Sequence, residues 1–309
     1  MLHLRLIVPA AEIGPTLRLL TADTSVSNIV HLPHAARKPE GDVVLCDVAR
    51  EDASALLSEL KSLSLDRTGS IAVETVDLSL SAGAAQATRA APGSPADAVV
   101  WEQVEALTNE SSELSHSYLA FMVLSMLIAG VGILTDSLIL IIGAMVVGPE
   151  FGPLAGLGVA LAERQLAFAA RSGRALAIGF SVGIAATCAG TLVARAAGLA
   201  PDRLIVAETL FISRPNGWSA LVAMLAGAAG TLALSTAKPG TLIGVLISVT
   251  TIPAGADVGV ALAYGDWTEL GGAAAQLAIN VIAIAAAGAV TLSVQRTAFA
   301  RRLAARRRT

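Results

Sequence analysis

From Ser117 to Val294 the chain is a succession of apolar stretches of bilayer-crossing length, with only two acidic residues inside them, Glu150 and Asp257. A hydrocarbon core of about 30 Å takes about 20 helical residues to cross. In that medium each backbone N–H and C=O must be bonded within the structure, which restricts these segments to helix. Six spans are predicted, over 117–134, 137–162, 175–194, 218–237, 241–263 and 271–294. They make 117–295 an α-helical polytopic membrane domain. The whole chain is 54% hydrophobic and 15% charged, where soluble domains carry about 25% charged residues. A single soluble globule is excluded.

The charge is unevenly placed. Residues 1–116 hold 8 Lys/Arg and 16 Asp/Glu, whereas 117–309 hold 13 and 8. The acidic first third reads as a small α+β domain over 1–80. Leu2, Leu4, Leu6 and Val8 alternate as a half-buried strand. Ile13, Leu17 and Leu20 recur at helical spacing, Val26–Leu32 and Val43–Val48 give two further strands, and Leu56, Leu57, Leu60 and Leu63 mark a second helix. Gly69 ends it, and Ile71–Leu78 is the fourth strand. The order β-α-β-β-α-β is the ferredoxin-like arrangement. Ser79–Pro95, rich in Ala, Ser, Gly and Pro, is predicted as a linker. It leads to a connecting helix within 96–116, so that 81–116 joins the two domains.

An internal repeat carries the most information. Gly143–Val146 through Gly158–Ala162 matches Gly244–Ile247 through Gly259–Ala263 at a constant offset, and Gly-Val-Ala-Leu-Ala is identical in both copies. Each copy is the middle span of three, and each is interrupted, by Gly148–Pro153 in the first and Thr250–Asp257 in the second. Three spans reverse the side of the membrane, so the predicted architecture is a 3+3 inverted repeat with two broken helices. Such breaks expose backbone groups near the midplane, where solute and ion sites form. A carboxylate at that depth costs about 2.5–3.5 kcal/mol. Glu150 and Asp257 therefore read either as a proton or cation site or as caps on neighbouring half-helices. The candidate substrate- or ion-binding set is Pro149, Glu150, Pro153, Thr250, Thr251, Pro253, Asp257, Gln276 and Asn280. Gln276 and Asn280 lie one helical turn apart, and interhelical hydrogen bonding is the alternative reading for them. Asp136 and Asn216 are placed to cap the helices that follow them.

Most basic residues of the block, including Arg164, Arg171, Arg174, Lys238, Arg296 and the tail 296–309, fall on one side, which the positive-inside rule makes cytoplasmic. The expected location is a bacterial plasma membrane, multi-pass, with both termini cytoplasmic. Expected partners are the lipid bilayer, a small ion or solute and further copies of the chain in a homo-oligomer. The Arg-rich tail reads as an anchor beside anionic headgroups, not as a nucleic-acid contact. The N-terminus has no basic-then-apolar leader. Cys46 and Cys188 lie in different regions, and neither they nor the four histidines form a metal-ligand spacing, so no metal and no cofactor are expected. No catalytic motif occurs, and Ser137 and Ser248 have no histidine within the spans to activate them. An enzyme is not expected.

The run Ile142-Gly143-Ala144-Met145, with Pro149 and Gly152-Pro153-Leu154 after it, resembles the signature of the uncharacterised bacterial hydrophobic-domain membrane proteins, domain of unknown function 389. The order of small domain, helical linker and multi-span block is similar too. The resemblance implies the fold and no substrate. The inverted repeat and broken helices favour a membrane transport protein, a secondary transporter of a small ion or solute with its site at the two breaks; the alternatives are a homo-oligomeric ion channel gated by the cytoplasmic domain and a non-transporting membrane sensor.

Overall fold

The computed structural model describes all residues except 77, 92, 95–97, 203–208, 237–238 and 307–309. Lys238, Arg307 and Arg308, used above for topology, lie outside the described residues. The chain divides into two compact units, Met1–Val104 and Glu105–Thr309.

In the first unit, β1 (Leu2–Val8), α1 (Ile13–Ala22), β2 (Val26–Arg37), β3 (Glu40–Val48), α2 (Ala53–Ser62), the short α3 (Leu65–Thr68) and β4 (Ser70–Thr75) follow in order. The strands form one antiparallel sheet in the order β2-β3-β1-β4. β1 is central, pairing Leu2 with Val48 on one side and with Thr75 on the other. The alternation seen in the sequence places Leu2, Leu4, Leu6 and Val8 in the core, with Leu20, Leu56, Leu57 and Leu60 over them. The fourth strand is shorter than predicted: it ends at Thr75, and Leu78 is exposed. The stretch read as a linker instead carries α4 (Ala82–Ala90), capped by the Ser81 hydroxyl, which accepts from the Ala84 N–H. Its buried Ala84 and Ala87 pack toward β2 and β3. Cys46 is buried, and that burial pushes its thiol up to about 12, which leaves it inert at neutral pH.

One feature of this unit makes it acid-sensitive. Asp42 accepts from the His34 backbone N–H at 2.8 Å and bonds the His31 ring at 2.7 Å, and these contacts hold its carboxyl below the ordinary 3.8. A depressed carboxyl contributes stability that is complete above its unfolded pKa and is lost as pH falls through the folded one. The β2–β3 hairpin should therefore loosen below pH 3.8. Amide hydrogen exchange across the hairpin checks this, and Asp42→Asn should flatten its acid dependence while speeding exchange at neutral pH.

A helix α5 (Trp101–Ser111) spans the boundary between the units, and the second unit is otherwise helical. It comprises α6 (His116–Leu134), α7 (Leu138–Val147), α8 (Phe151–Glu163), α9 (Leu166–Ala196), a 3-10 turn (Leu210–Ile212), α10 (Gly217–Ser235), α11 (Pro239–Ser248), α12 (Thr251–Tyr264) and α13 (Trp267–Arg306). By length and composition, among the described residues, α6, α9, α10 and α13 can each cross a membrane, and α7 with α8, bent by 55°, makes a fifth candidate. The predicted third and sixth spans are parts of the longer α9 and α13. Large apolar side chains such as Ile139, Leu166, Val193, Ile282 and Val290 point outward, as a hydrocarbon solvent permits. Helix bounds recur: α6 (116–134) and α10 (217–235), α7 (138–147) and α11 (239–248), and the starts of α9 and α13 at 166 and 267 all differ by 101. The packing recurs with exchanged partners. α8 lies on α13 while α12 lies on α9. Gly130 faces Thr187, and 101 residues on, Thr231 faces Gly288.

Candidate functional site

Two prolines set where the middle helices break. A proline inside a helix lacks the N–H that bonds residue i−4 and its ring meets that residue's carbonyl, so it is tolerated only in the first turn. Pro153 and Pro253 each occupy the third position of a helix, α8 and α12. The preceding helix must stop before residues 149 and 249 respectively, and α7 and α11 end at Val147 and Ser248. Pro149 adds to the first break by holding Gly148 extended (φ −63°, ψ 132°). The second interruption is therefore narrower than the sequence suggested. It falls at Val249–Thr250, and Asp257 lies within the continuous α12.

Glu150 stands at the N-cap position of α8 without a side-chain capping bond. It is 3% exposed. Its Oε1 accepts from the Thr251 hydroxyl at 2.8 Å, across 101 positions of sequence, and its Oε2 has no partner among the described residues. The two breaks thus meet through equivalent residues. The N-terminal end of α8 supplies partial positive charge beside the carboxylate.

A second cluster adjoins the first. The Thr250 hydroxyl oxygen accepts from Asn280 Nδ2 at 3.1 Å and Gln276 Nε2 at 3.3 Å, and Gln276 Nε2 also donates to Asn280 Oδ1 at 3.0 Å. Gln276 Oε1 is buried and without a partner among the described residues. Interhelical bonding and a polar site thus coincide here. Asp257 stands apart: it is buried, its Oδ1 has no partner among the described residues, and it faces Glu269 and Asp266. Pro253 is buried in the first turn of α12, and Pro153 in that of α8.

Two cavities flank the breaks. One, about 390 Å³, is lined by Tyr118, Gly148, Pro149 and Phe151 with Glu110 and Glu113 among its other walls. The other, about 260 Å³, is lined by Trp218, Ser219, Val249, Thr250, Gln276 and Asn280. Tyr118 and Ser219, Gly148 and Val249, and Pro149 and Thr250 are again 101 apart, so the cavities occupy equivalent places. They differ in volume distribution. In the first half the bulk sits on α6, where the Tyr118 hydroxyl donates to Ala175 O at 3.2 Å and its ring fills the notch at Gly179. In the second half the equivalents are Ser219, Gln276 and Asn280. Tyr118 was missed from sequence, since a lone tyrosine in an apolar span gives no sign of the glycine it faces. Asn216 caps α10 as expected, accepting from Trp218 and Ser219 N–H in a capping box. Asp136 does not cap α7; it accepts from the backbone and hydroxyl of Thr209.

Comparison with known proteins adds the family. Residues 145–286, which contain both breaks and the Gln276–Asn280 cluster, match the family described as Domain of unknown function (DUF389). An uncharacterized protein of Methanocaldococcus jannaschii is 24% identical over 196 residues, taking in 60% of this chain and 56% of that protein. The chain thus spans little over half the length of that relative. No solved structure matches. Residues 145–286 thus carry the match to the uncharacterised DUF389 family, and the distant archaeal relative is itself uncharacterised.

Proposed function

We propose that this chain is a membrane transport protein, a secondary transporter of a small ion or solute and not an enzyme. In this reading it has six crossings in two inverted units of three, α6–α9 and α10–α13, with each broken pair crossing once. The observation that carries it is the Glu150–Thr251 hydrogen bond. A two-fold axis brings a residue close to its own equivalent only near the axis itself, so equivalent residues in contact fit an axis running through the breaks. The shared offset of helix bounds, the exchanged packing and the paired cavities support the same arrangement. Under an inverted repeat those cavities open to opposite sides, as rocking one unit against the other requires. The family match covers the repeat and supports no particular substrate.

The membrane is a bacterial plasma membrane in this proposal, the N- and C-termini are cytoplasmic, and the chain assembles with further copies of itself, with no nucleic-acid partner. Single-cysteine labelling in whole cells tests the inversion. Cysteines within 265–270 and 209–216 should react with an impermeant maleimide from outside, and those within 163–174 should not. Labelling of all three loops from one side would end the inverted-repeat reading.

A further inference from the structure

The cavity beside Thr250 has a composition that selects among solutes. Among the described residues its wall holds a buried acceptor without a partner, the Gln276 carbonyl oxygen, on a side chain that is 2% exposed. Gln276 Nε2 donates to the Thr250 hydroxyl oxygen and to Asn280 Oδ1, and Asn280 Nδ2 donates to the same hydroxyl oxygen. Buried polar atoms are normally paired, so an unpaired acceptor in a cavity wall calls for a donor from outside the chain. The C-terminal end of α11 reaches this wall at Ser248 and Val249, and that end of a helix carries partial negative charge. Trp218 and Phe211 stand at the rim, and their ring faces attract cations. Val222 and Ala223 offer an apolar wall. Among the described lining residues none is Lys, Arg or His. The buried carboxylate of Glu150 is one bonded neighbour away, through Thr251. At about 260 Å³ the cavity is far larger than a bare alkali ion needs, and its apolar wall suits an alkyl body.

We propose that this cavity binds a small organic ammonium cation whose N–H group donates to Gln276 Oε1. The inference deepens the transport reading and rests on it for its physiological meaning, but its test reads binding alone. Full-length protein in detergent is titrated calorimetrically with n-butylammonium, with its isomer tetramethylammonium and with 1-butanol. The isomer has the same charge and no N–H donor; the alcohol has a donor and no charge. Saturable binding of n-butylammonium is expected, at least about tenfold tighter than either control. Gln276→Leu should abolish it, and Gln276→Glu, which keeps an acceptor in the same shape, should retain it. Trp218→Ala, a change at an exposed position with little bearing on folding, should weaken it several-fold.

Equal binding of the three probes, no saturable binding of n-butylammonium, or its loss in Gln276→Glu would each overturn the assignment. The two claims fail separately. Currents driven by other solutes without ammonium binding would remove the substrate class and leave transport. Ammonium binding without flux under any imposed gradient would remove transport and leave the binding site.

Discussion

Gly259→Ala should destabilise the helical unit by about 1–3 kcal/mol, the usual cost of forcing a methyl group into a filled space. A Cβ at Gly259 would stand 2.8 Å from the Ile184 carbonyl oxygen, 2.9 Å from Thr187 Cβ and 3.1 Å from the Cys188 nitrogen. Two of those atoms are backbone, so relief requires α12 and α9 to move apart. The equivalent glycine behaves differently. A Cβ at Gly158 would meet nothing nearer than 3.4 Å, at Ala289 and Gly288. Gly158→Ala should be neutral or slightly stabilising, because alanine is favoured over glycine within a helix by about 0.5–1 kcal/mol. Thermal unfolding of both variants in one detergent checks the contrast. Equal shifts would mean that the α9–α12 contact is looser than described. The identical Gly-Val-Ala-Leu-Ala segments make this a comparison of environments alone.

Why some of this was legible in the sequence follows from the periods involved. β1 could be read because Leu2, Leu4, Leu6 and Val8 alternate strictly and all four are buried. The helix breaks could be read because proline acts through local covalent geometry, which needs no tertiary context. The extent of the second break could not. Pro253 and Gly255 look like interruptions in a sequence, but in the first turns of α12 neither costs a hydrogen bond or a fold-breaking strain. α4 was hidden by its composition: alanine and serine signal a linker, and only Ala84 and Ala87 register the buried face. The spacing of Gln276 and Asn280 was visible, but their convergence on Thr250 was not, since it joins α13 to the start of α12 across about 30 positions. The volume exchange between Tyr118 with Gly179 and Ser219 with Asn280 is likewise tertiary. It makes the two cavities chemically unequal although the backbone repeats.

The second large effect concerns Glu150. Its carboxylate has one oxygen on Thr251 and one with no partner among the described residues, and it lies where the two half-helix pairs meet. Burying an ionisable group without full compensation is costly, and the Thr251 hydroxyl supplies only one neutral hydrogen bond. A carboxylate kept there for structure alone would serve as well if replaced by its amide. Glu150→Gln preserves shape and can still accept from Thr251, so stability should change little. What it removes is the charge that a coupled proton or cation would meet.

The most direct measurement is solute-induced current from the full-length protein reconstituted in liposomes on a solid-supported membrane, across a pH series, with Glu150→Gln measured beside it. Cations, including n-butylammonium, anions and small organic acids make up the panel. The expected result is a saturable, pH-dependent current for at least one solute that falls at least about tenfold in Glu150→Gln while the variant remains folded. A full, pH-independent current in Glu150→Gln would contradict the role given to that carboxylate, and silence of the wild-type protein across the panel would contradict electrogenic transport by this chain.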